Sequence, residues 1–456
     1  MSRNPSTITP EIKRLAAICK KTSFIDEKYF TGYKVFRGLR DDMGRGVLTG
    51  LTEVSEVCGH IDIDGKTEYI PGELFYRGYD VQDIVADLYE TKRYGFEETI
   101  YLLLFGHLPG KTELANFQTL LGGYRNLPTT FVRDVVMKAP SRDIMNSMAR
   151  GVLTLYSYDE FPDDTSVPNV LRQCLSLIAV FPQLAVYSYQ AYDYYKSNSN
   201  SFFFHDPEPT LSTAQNILHM LRLDSKYTET EAHALDIALV LHAEHGGGNN
   251  STFTTRVVTS TGTDTYSVIA AGLASLKGPK HGGANIKVIE MMEDIKANVN
   301  DWKDRDEVNA YLRRIYSKEA FDRSGLIYGL GHAVYSTTDP RALIFEDSVK
   351  RLSEEKGTVP EYELYRIVAD EALNVLTAGR KPGQKGVCVN VDFYSGFVYR
   401  MLGLPEELYT PIFAMSRIAG WSAHRIEEIV SAGKIIRPAY ECVQRRRPFV
   451  SYGKRK

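Results

Sequence analysis

The sequence predicts a mainly α-helical protein with at most a small β-hairpin near the N-terminus. Three observations carry this. Apolar residues recur at three- and four-residue spacing through most of the chain. No βαβ alternation is present, and no GxGxxG opens a helix after a strand. Strict apolar–polar alternation is confined to one stretch, CGHIDIDGKTEYI (58–70), where it turns about an Asp-Gly pair in the manner of a hairpin.

The helical segments follow in order. VQDIVADLYE, ETIYLLLFGHL and TELANFQTLLGGYRNL lie within 81–127. VLRQCLSLIAVFPQLAVYSYQAY (170–192), TAQNILHMLR (213–222) and EAHALDIALVLHAEH (231–245) come next, then VIAAGLASLKG (268–278) and ANIKVIEMMEDIKANV (284–299). Gly or Pro punctuates the gaps. Upstream, PEIKRLAAICKK reads as an ordinary amphipathic helix, although its mildly basic setting is one an organelle transit peptide shares. KSNSNSFFFHDPEP (196–209) reads as a polar loop. Before it, Tyr187, Tyr189, Tyr192, Tyr194 and Tyr195 form either a stacking surface or, the preferred reading, a partly buried helix end with wet hydroxyls.

Composition sets outer bounds. The 456 residues carry 54 Lys+Arg against 57 Asp+Glu, a net charge of −3, with 43% hydrophobic and 24% charged residues, which excludes dominant disorder and collagen-like or coiled-coil architecture. Such a length supports two or more domains. Near-balanced charge argues against nucleic acid or a membrane surface as the main partner. No apolar run approaches the roughly 20 residues needed to span a bilayer. Cys19, Cys58, Cys174, Cys388 and Cys442 show no CxxC spacing and read as reduced, mostly buried thiols. A cytoplasmic location is therefore expected, ahead of a mitochondrial matrix. The tail RRRPFVSYGKRK reads as a solvated basic end.

Four patches in the second half place His, Arg or Asp among glycines: LHAEHGGGNNSTFT with His245, LKGPKHGGAN with His281, LGHAVYSTTDPRA with His332 and Arg341, and VCVNVDFYSGF with Asp392. Singly, each has a plain structural explanation. His242-x-x-His245 is half a metal site without a third ligand, or a pair of core or cap histidines. His281 is a turn residue, Arg341 a surface cation, and Asp392 a helix N-cap. Their joint occurrence where the chain changes direction favours a functional site, because glycine there permits positive φ and close approach of a ligand to backbone.

These patches resemble the citrate synthase family. HAEHGGGNNS resembles its first histidine motif, GPKHGGAN its second, GHAVYSTTDPRA its third and NVDFYSG its aspartate motif. ELFYRGYDVQDIV (73–85) resembles the N-terminal signature, and FAMSRIAGWSAHRIEE with KIIRP (413–438) the C-terminal one. The likeness is co-linear from about residue 40 to about 440. One departure is Gly246, where many members carry Glu directly after the first histidine.

The resemblance implies condensation of acetyl-coenzyme A with oxaloacetate and hydrolysis of the citryl thioester, with no metal or redox cofactor. A thioester methyl is a very weak acid, so its removal needs a base and a donor at the developing enolate oxygen. By motif match these are Asp392, in a closed dry site, and His281, whose other ring nitrogen then needs an acceptor. His332 is matched to polarising the ketone. Arg341, Arg417 and Arg437 are matched to holding the dianion, with His245 and Asn249 as further contacts. In the family the last arginine reaches the neighbouring subunit, so a homodimer is implied. Arg380, Lys381 and Lys385 are candidates for coenzyme A phosphates. The implied fold is a large helical domain from 1–282 and 391–456 with a smaller helical domain inserted at 283–390, the site lying in the cleft. The alternatives are 2-methylcitrate synthase using propionyl-coenzyme A, a metal-dependent hydrolase built on His242 and His245, and a non-catalytic helical binding module.

Overall fold

The computed structural model describes residues 8–41, 45–64, 66–196, 203–378, 385–431 and 433–455. The chain forms two compact units. One comprises Met1–Thr49 with Arg437–Lys456, the other Gly50–Ile436. The expected insertion at 283–390 lies wholly within the second.

The unit of the chain ends carries α1 (Pro10–Thr22) and α2 (Glu27–Gly32). The amphipathic helix expected at PEIKRLAAICKK is α1. Thr9 caps it, Pro10 opens it, Glu11 lies in its first turn and Lys20 and Lys21 in its last, each favourable to the helix dipole. Nothing on α1 is buried. Cys19 and Cys442 are exposed, which corrects the expectation of mostly buried thiols: Cys174 and Cys388 are buried and Cys58 half-buried. All five are free.

The second unit opens with a three-stranded antiparallel sheet of β1 (Ser55–Ile63), β2 (Lys66–Tyr76) and β3 (Tyr79–Asp80). The hairpin runs from Ser55 opposite Tyr76 to Ile63 opposite Lys66, longer than the alternating stretch, with an irregularity between Cys58 and His60. Helices follow: α3 (Val81–Thr91), α4 (Phe96–Phe105), α5 (Lys111–Gly123), α6 (Ile144–Leu155), α7 (Val167–Lys196), α8 (Thr213–Leu221), α9 (Glu229–His242), α10 (Asn250–Thr259), α11 (Thr265–Leu276), α12 (Ala284–Asn298), α13 (Arg305–Tyr316), α14 (Pro340–Lys356), α15 (Val359–Thr377), α16 (Val391–Met401) and α17 (Tyr409–Ser431).

Helix α17 runs through the core, packing on α4, α7, α9 and α10, and it is buried around nearly its whole circumference from Tyr409 to Arg425. A helix that is apolar on all sides needs partners on all sides. Helix α7 meets the same requirement. It is long and apolar enough to cross a membrane, contrary to the linear reading, yet 83% of its apolar window is buried inside the fold. Scattered Gln, Ser and Tyr had hidden its length. At its end Tyr187 donates to the carbonyl of His205 (2.9 Å), while Tyr194 and Tyr195 are exposed. This matches a wet helix end; residues 197–202 of the following loop lie outside the described residues.

Helix α14 packs on both α9 and α16. The hairpin seals the turn between Gly329 and Asp339 from one side. At Gly72 a Cβ would lie 2.2 Å from the Thr338 carbonyl, so only glycine allows that approach.

Candidate active site

Helix α9 ends at His242, three residues earlier than the first histidine motif suggests. Tyr76 causes this in part, since its hydroxyl donates to the carbonyls of Val240 (3.0 Å) and Glu244 (3.2 Å) at the helix end. Gly246, at φ +87°, then reverses the chain and donates its N–H to Ser55 Oγ (3.2 Å). The result is a buried His245 whose Nε2 has no partner. Its ring meets His332 edge-on, with centroids 5.0 Å apart, and Tyr335 at 5.6 Å.

His332 sits in a turn opened by Gly329 (φ +81°) and Gly331 (φ +88°). Its ring stacks on Tyr335 at 4.6 Å, and its Nδ1 accepts N–H groups from Val334 and Tyr335, both at 3.1 Å. A neutral ring so held carries its proton on Nε2. The same turn leads into α14, where Asp339 is the N-cap and grips Arg341 by Nε (3.0 Å) and Nη2 (2.8 Å). Arg341 is therefore buried and paired, not a surface cation. Burial works to lower its pKa, but the Asp339 carboxylate outweighs that and raises it.

Arg417 lies in the buried middle of α17. Its Nε donates to the His242 carbonyl (2.7 Å), its guanidinium lies 4.7 Å from the Phe413 ring centroid, and Nη1 and Nη2 have no partner. Burial lowers its pKa to about 10, with Glu244 and Tyr76 opposing and Arg341 reinforcing the fall. Behind it, Glu244 Oε1 accepts from Ser55 Oγ and His424 Nε2, both at 3.0 Å. Arg256 donates to His424 Nδ1 (2.7 Å from Nη2) and pairs with Glu427 and Glu428. Burial pushes the Glu244 pKa up, but His424, Arg417 and Ser55 bring it down to about 2. Gly420 is required here, because a Cβ would stand 2.1 Å from Glu244 Oε2.

His281 occupies the turn between α11 and α12, half-buried, with Nε2 3.2 Å from Ser251 Oγ. Burial, then Arg417, lower its pKa to about 4, so the ring is neutral at physiological pH. The partner expected from sequence was an acceptor. A neutral ring that donates through one nitrogen presents a lone pair at the other, so it needs a donor there. Ser251 supplies either: its hydroxyl accepts from Trp421 Nε1 (3.2 Å) and holds one proton, now directed to Asn249 Oδ1 (3.0 Å). Asn249, at the N-cap position of α10, thus backs onto Ser251.

Asp392 is the second residue of α16, and Asn390, not Asp392, is the N-cap, accepting the Asp392 N–H at 3.0 Å. Burial raises the pKa of Asp392 to about 6; Arg341 opposes this and Asp339 adds to it. The strip before it is zipped to the His332 turn. Gly331 N–H donates to the Cys388 carbonyl (2.8 Å), Asn390 N–H to the Gly329 carbonyl (2.9 Å), and Asn390 Nδ2 to the Gly331 carbonyl (2.9 Å).

Arg341 and Arg417 both act electrostatically on His242 and His245, Arg417 acts on His281 and Arg341 on Asp392, while His332 packs against His245. Lys385 places its Nζ on the carbonyls of His332 (3.1 Å) and Ala333 (2.8 Å). Arg380 and Lys381 lie outside the described residues. Arg437 is exposed and belongs to the unit of the chain ends.

Sequence reading set His242 aside as a core or metal histidine. It is buried between Phe413 (4.4 Å) and Phe345 (5.7 Å), with no partner at either ring nitrogen, and burial with both arginines holds its pKa well below the usual value. Among the described residues no group of three His, Cys, Asp or Glu is placed to hold a metal. Tyr335, Asp339, Glu244 and Ser251 were also missed, although each lies inside a quoted motif. Neutral imidazoles at His242, His245 and His281, a carboxylate poised near neutrality and a guanidinium with open terminal nitrogens define a site for acid–base chemistry on a small anion.

The chain belongs to the citrate synthase family. The family model "Citrate synthase, C-terminal domain" matches residues 40–439. Citrate synthase of Haloferax volcanii is 34% identical over 381 residues, covering 82% of this chain and 90% of the relative. 2-Methylcitrate synthase of Shewanella oneidensis is 32% identical over 376 residues, covering 81% and 88%. Among solved structures, citrate synthase of Thermoplasma acidophilum, in a ternary complex with carboxymethyl coenzyme A and oxaloacetate, superposes with a TM-score of 0.72 at 28% identity, over 92% of this chain and 99% of that one.

Proposed function

We propose that this protein is a citrate synthase: it condenses acetyl-coenzyme A with oxaloacetate and hydrolyses the resulting thioester to citrate and coenzyme A. The reading is supported by the reach of Arg341 to Asp392 and of Arg417 to His281, with His332 packed edge-on against His245, on which both arginines act. Asp392 takes a proton from the thioester methyl. Its raised pKa makes it a stronger base than a solvated carboxylate, and it remains largely ionised above pH 6. His281 donates to the developing enolate oxygen from Nδ1, in the tautomer whose Nε2 lone pair accepts the Ser251 proton: the hydroxyl turns from Asn249 to Nε2 and the single ring proton moves from Nε2 to Nδ1. The enolate carbon attacks the ketone carbon of oxaloacetate, and the ketone oxygen becomes a hydroxyl by taking the His332 Nε2 proton. Water then cleaves the thioester, releasing the free thiol.

The open Nη groups of Arg417 and the remaining donors of Arg341 hold the two carboxylates, with His245 beside them. Arg437 completes the cradle from a second subunit of a homodimer, and Arg380 and Lys381 meet coenzyme A phosphates. Helices α12 to α15 form a smaller domain within 283–390 whose closure excludes water until condensation is complete. Identical small-angle scattering profiles with and without oxaloacetate would remove closure from this account. The five free cysteines support a reducing, cytoplasm-like compartment.

Thiol release from acetyl- and propionyl-coenzyme A, each with and without oxaloacetate, tests the proposal. No oxaloacetate-dependent release from either would sink it. Because relatives of both names stand at similar identity, the ratio of kcat/KM for the two thioesters decides between citrate and 2-methylcitrate synthesis.

A further inference from the structure

We propose that Lys385 is a positioning residue for His332, anchoring the turn that carries the imidazole to the strip that leads into Asp392. The inference rests on the reading of His332 as the group that polarises the ketone.

At Nδ1 the ring of His332 bonds to its own turn. It folds back on its own turn, accepting the N–H groups of Val334 and Tyr335. Wherever that turn goes, the Nε2 proton goes with it. The turn is pinned at its base by Gly331 N–H on Cys388 and by Asn390 on Gly329 and Gly331. These bonds hold residues 329–331 only. The carbonyls of His332 and Ala333, one step further, are held by the Lys385 ammonium at 3.1 and 2.8 Å. Charge-assisted hydrogen bonds are roughly twice as strong as neutral ones, so this is a firm tether for an otherwise half-exposed segment.

The neighbouring residue supports a built crossing. At Gly386 a Cβ would stand 2.3 Å from the Ser336 carbonyl, so the strip passes hard against the far side of the same turn. Lys385, Gly386, Cys388 and Asn390 therefore bind the turn along its length. Asn390 also caps α16 and so sets the start of the helix that bears Asp392. The base and the electrophilic imidazole are tied into one piece, with Lys385 as its outer tie.

This role separates cleanly from a phosphate contact. The full-length protein is compared with Lys385→Met, Lys385→Gln and Lys385→Arg in two assays. The first measures turnover with acetyl-coenzyme A and with acetyl-pantetheine, which lacks the nucleotide phosphates. The second follows the ketone carbon of [2-¹³C]oxaloacetate in the binary complex, where no thioester is present. We expect Lys385→Met and Lys385→Gln to lower kcat about 10- to 100-fold with both thioesters, a loss typical of a displaced catalytic group. KM for acetyl-coenzyme A should stay within about twofold, the downfield shift of the bound ketone carbon should shrink, and Lys385→Arg should restore most of both. A raised KM for acetyl-coenzyme A at unchanged kcat, with normal rates on acetyl-pantetheine, would overturn the inference and make Lys385 a phosphate ligand. An unchanged carbon shift in the variants, with a clear shift in the wild type, would overturn it equally. No shift in the wild type on binding would overturn the reading of His332 itself, and this inference with it.

Discussion

The two halves of the site are built on different principles. Around Arg417, the groups stand on α9 and α17, fully buried, and are held by a chain of polar and charged side chains from Glu244 through His424 to Arg256 and Glu428. Around His332 and Asp392, the groups are half-buried and stand on a turn and a helix start, where backbone hydrogen bonds, the Asn390 side chain and the Lys385 ammonium hold them. The first arrangement is costly to form and hard to move, which suits a cradle that must keep a guanidinium charged and aimed before any substrate arrives. The second ties a turn and a helix start into one piece at the edge of the core, which in the proposed mechanism keeps the base and the imidazole in register. Helix α14 joins them: its capped Arg341 faces the first half, and its N-terminal turn carries the second.

The sharpest way to break this comparison is to remove the proposed base. Asp392→Asn should lower kcat about 10³-fold, while calorimetric oxaloacetate binding stays within about twofold, since the cradle is independent of it. Equal loss of binding would mean the halves are not separable. Next, His424→Leu strands the buried Glu244 carboxylate, and denaturant unfolding should show a loss of about 3–5 kcal/mol, against under about 1 kcal/mol for Lys385→Met. Comparable losses from the two would erase the structural distinction. Arg417→Ala should raise the oxaloacetate Kd about 10- to 100-fold, from charged hydrogen bonds of about 1.5–3 kcal/mol, without a matching fall in saturated turnover.

The pH dependence sharpens the comparison further. In the proposed mechanism Asp392 acts ionised, and its pKa is raised to about 6, so kcat/KM should fall about tenfold per unit below pH 6. His281, already neutral with a pKa of about 4, should add no limb near neutrality. Glu244 behaves oppositely as a stability group. Its folded pKa of about 2 lies below its ordinary value of 4.5, so its contribution is present above pH 4.5 and lost as pH falls towards 2. Acid should thus silence turnover well before it loosens the cradle. The smallest expected effect is that of a chelator, which should leave oxaloacetate-dependent thiol release unchanged; abolition with zinc rescue would revive the hydrolase reading.

Much of this was legible in one dimension. Helical periodicity, the single alternating stretch and the glycine-flanked motifs pointed to a helical protein with its chemistry at chain reversals, because backbone sterics and amphipathic burial are local or nearly so. The boundaries were less legible. His245 reads as the end of a helix by periodicity, yet Tyr76, far away in sequence, ends that helix at His242 by taking up its carbonyls. Asp392 reads as a cap, yet Asn390 takes that place because it also bridges to Gly331.

The sequence by itself determined the helical class, the hairpin, and which residue types were available to bind a dianion and move a proton. Only the tertiary structure decided their states. Arg341 is a buried, carboxylate-gripped cation, His242 a partnerless imidazole, Asp392 a carboxyl poised near neutrality, and Lys385 a tether on the His332 turn. The physical reason is that charge, protonation and hydrogen-bond geometry depend on burial and on neighbours hundreds of residues apart, which no local pattern of residues contains.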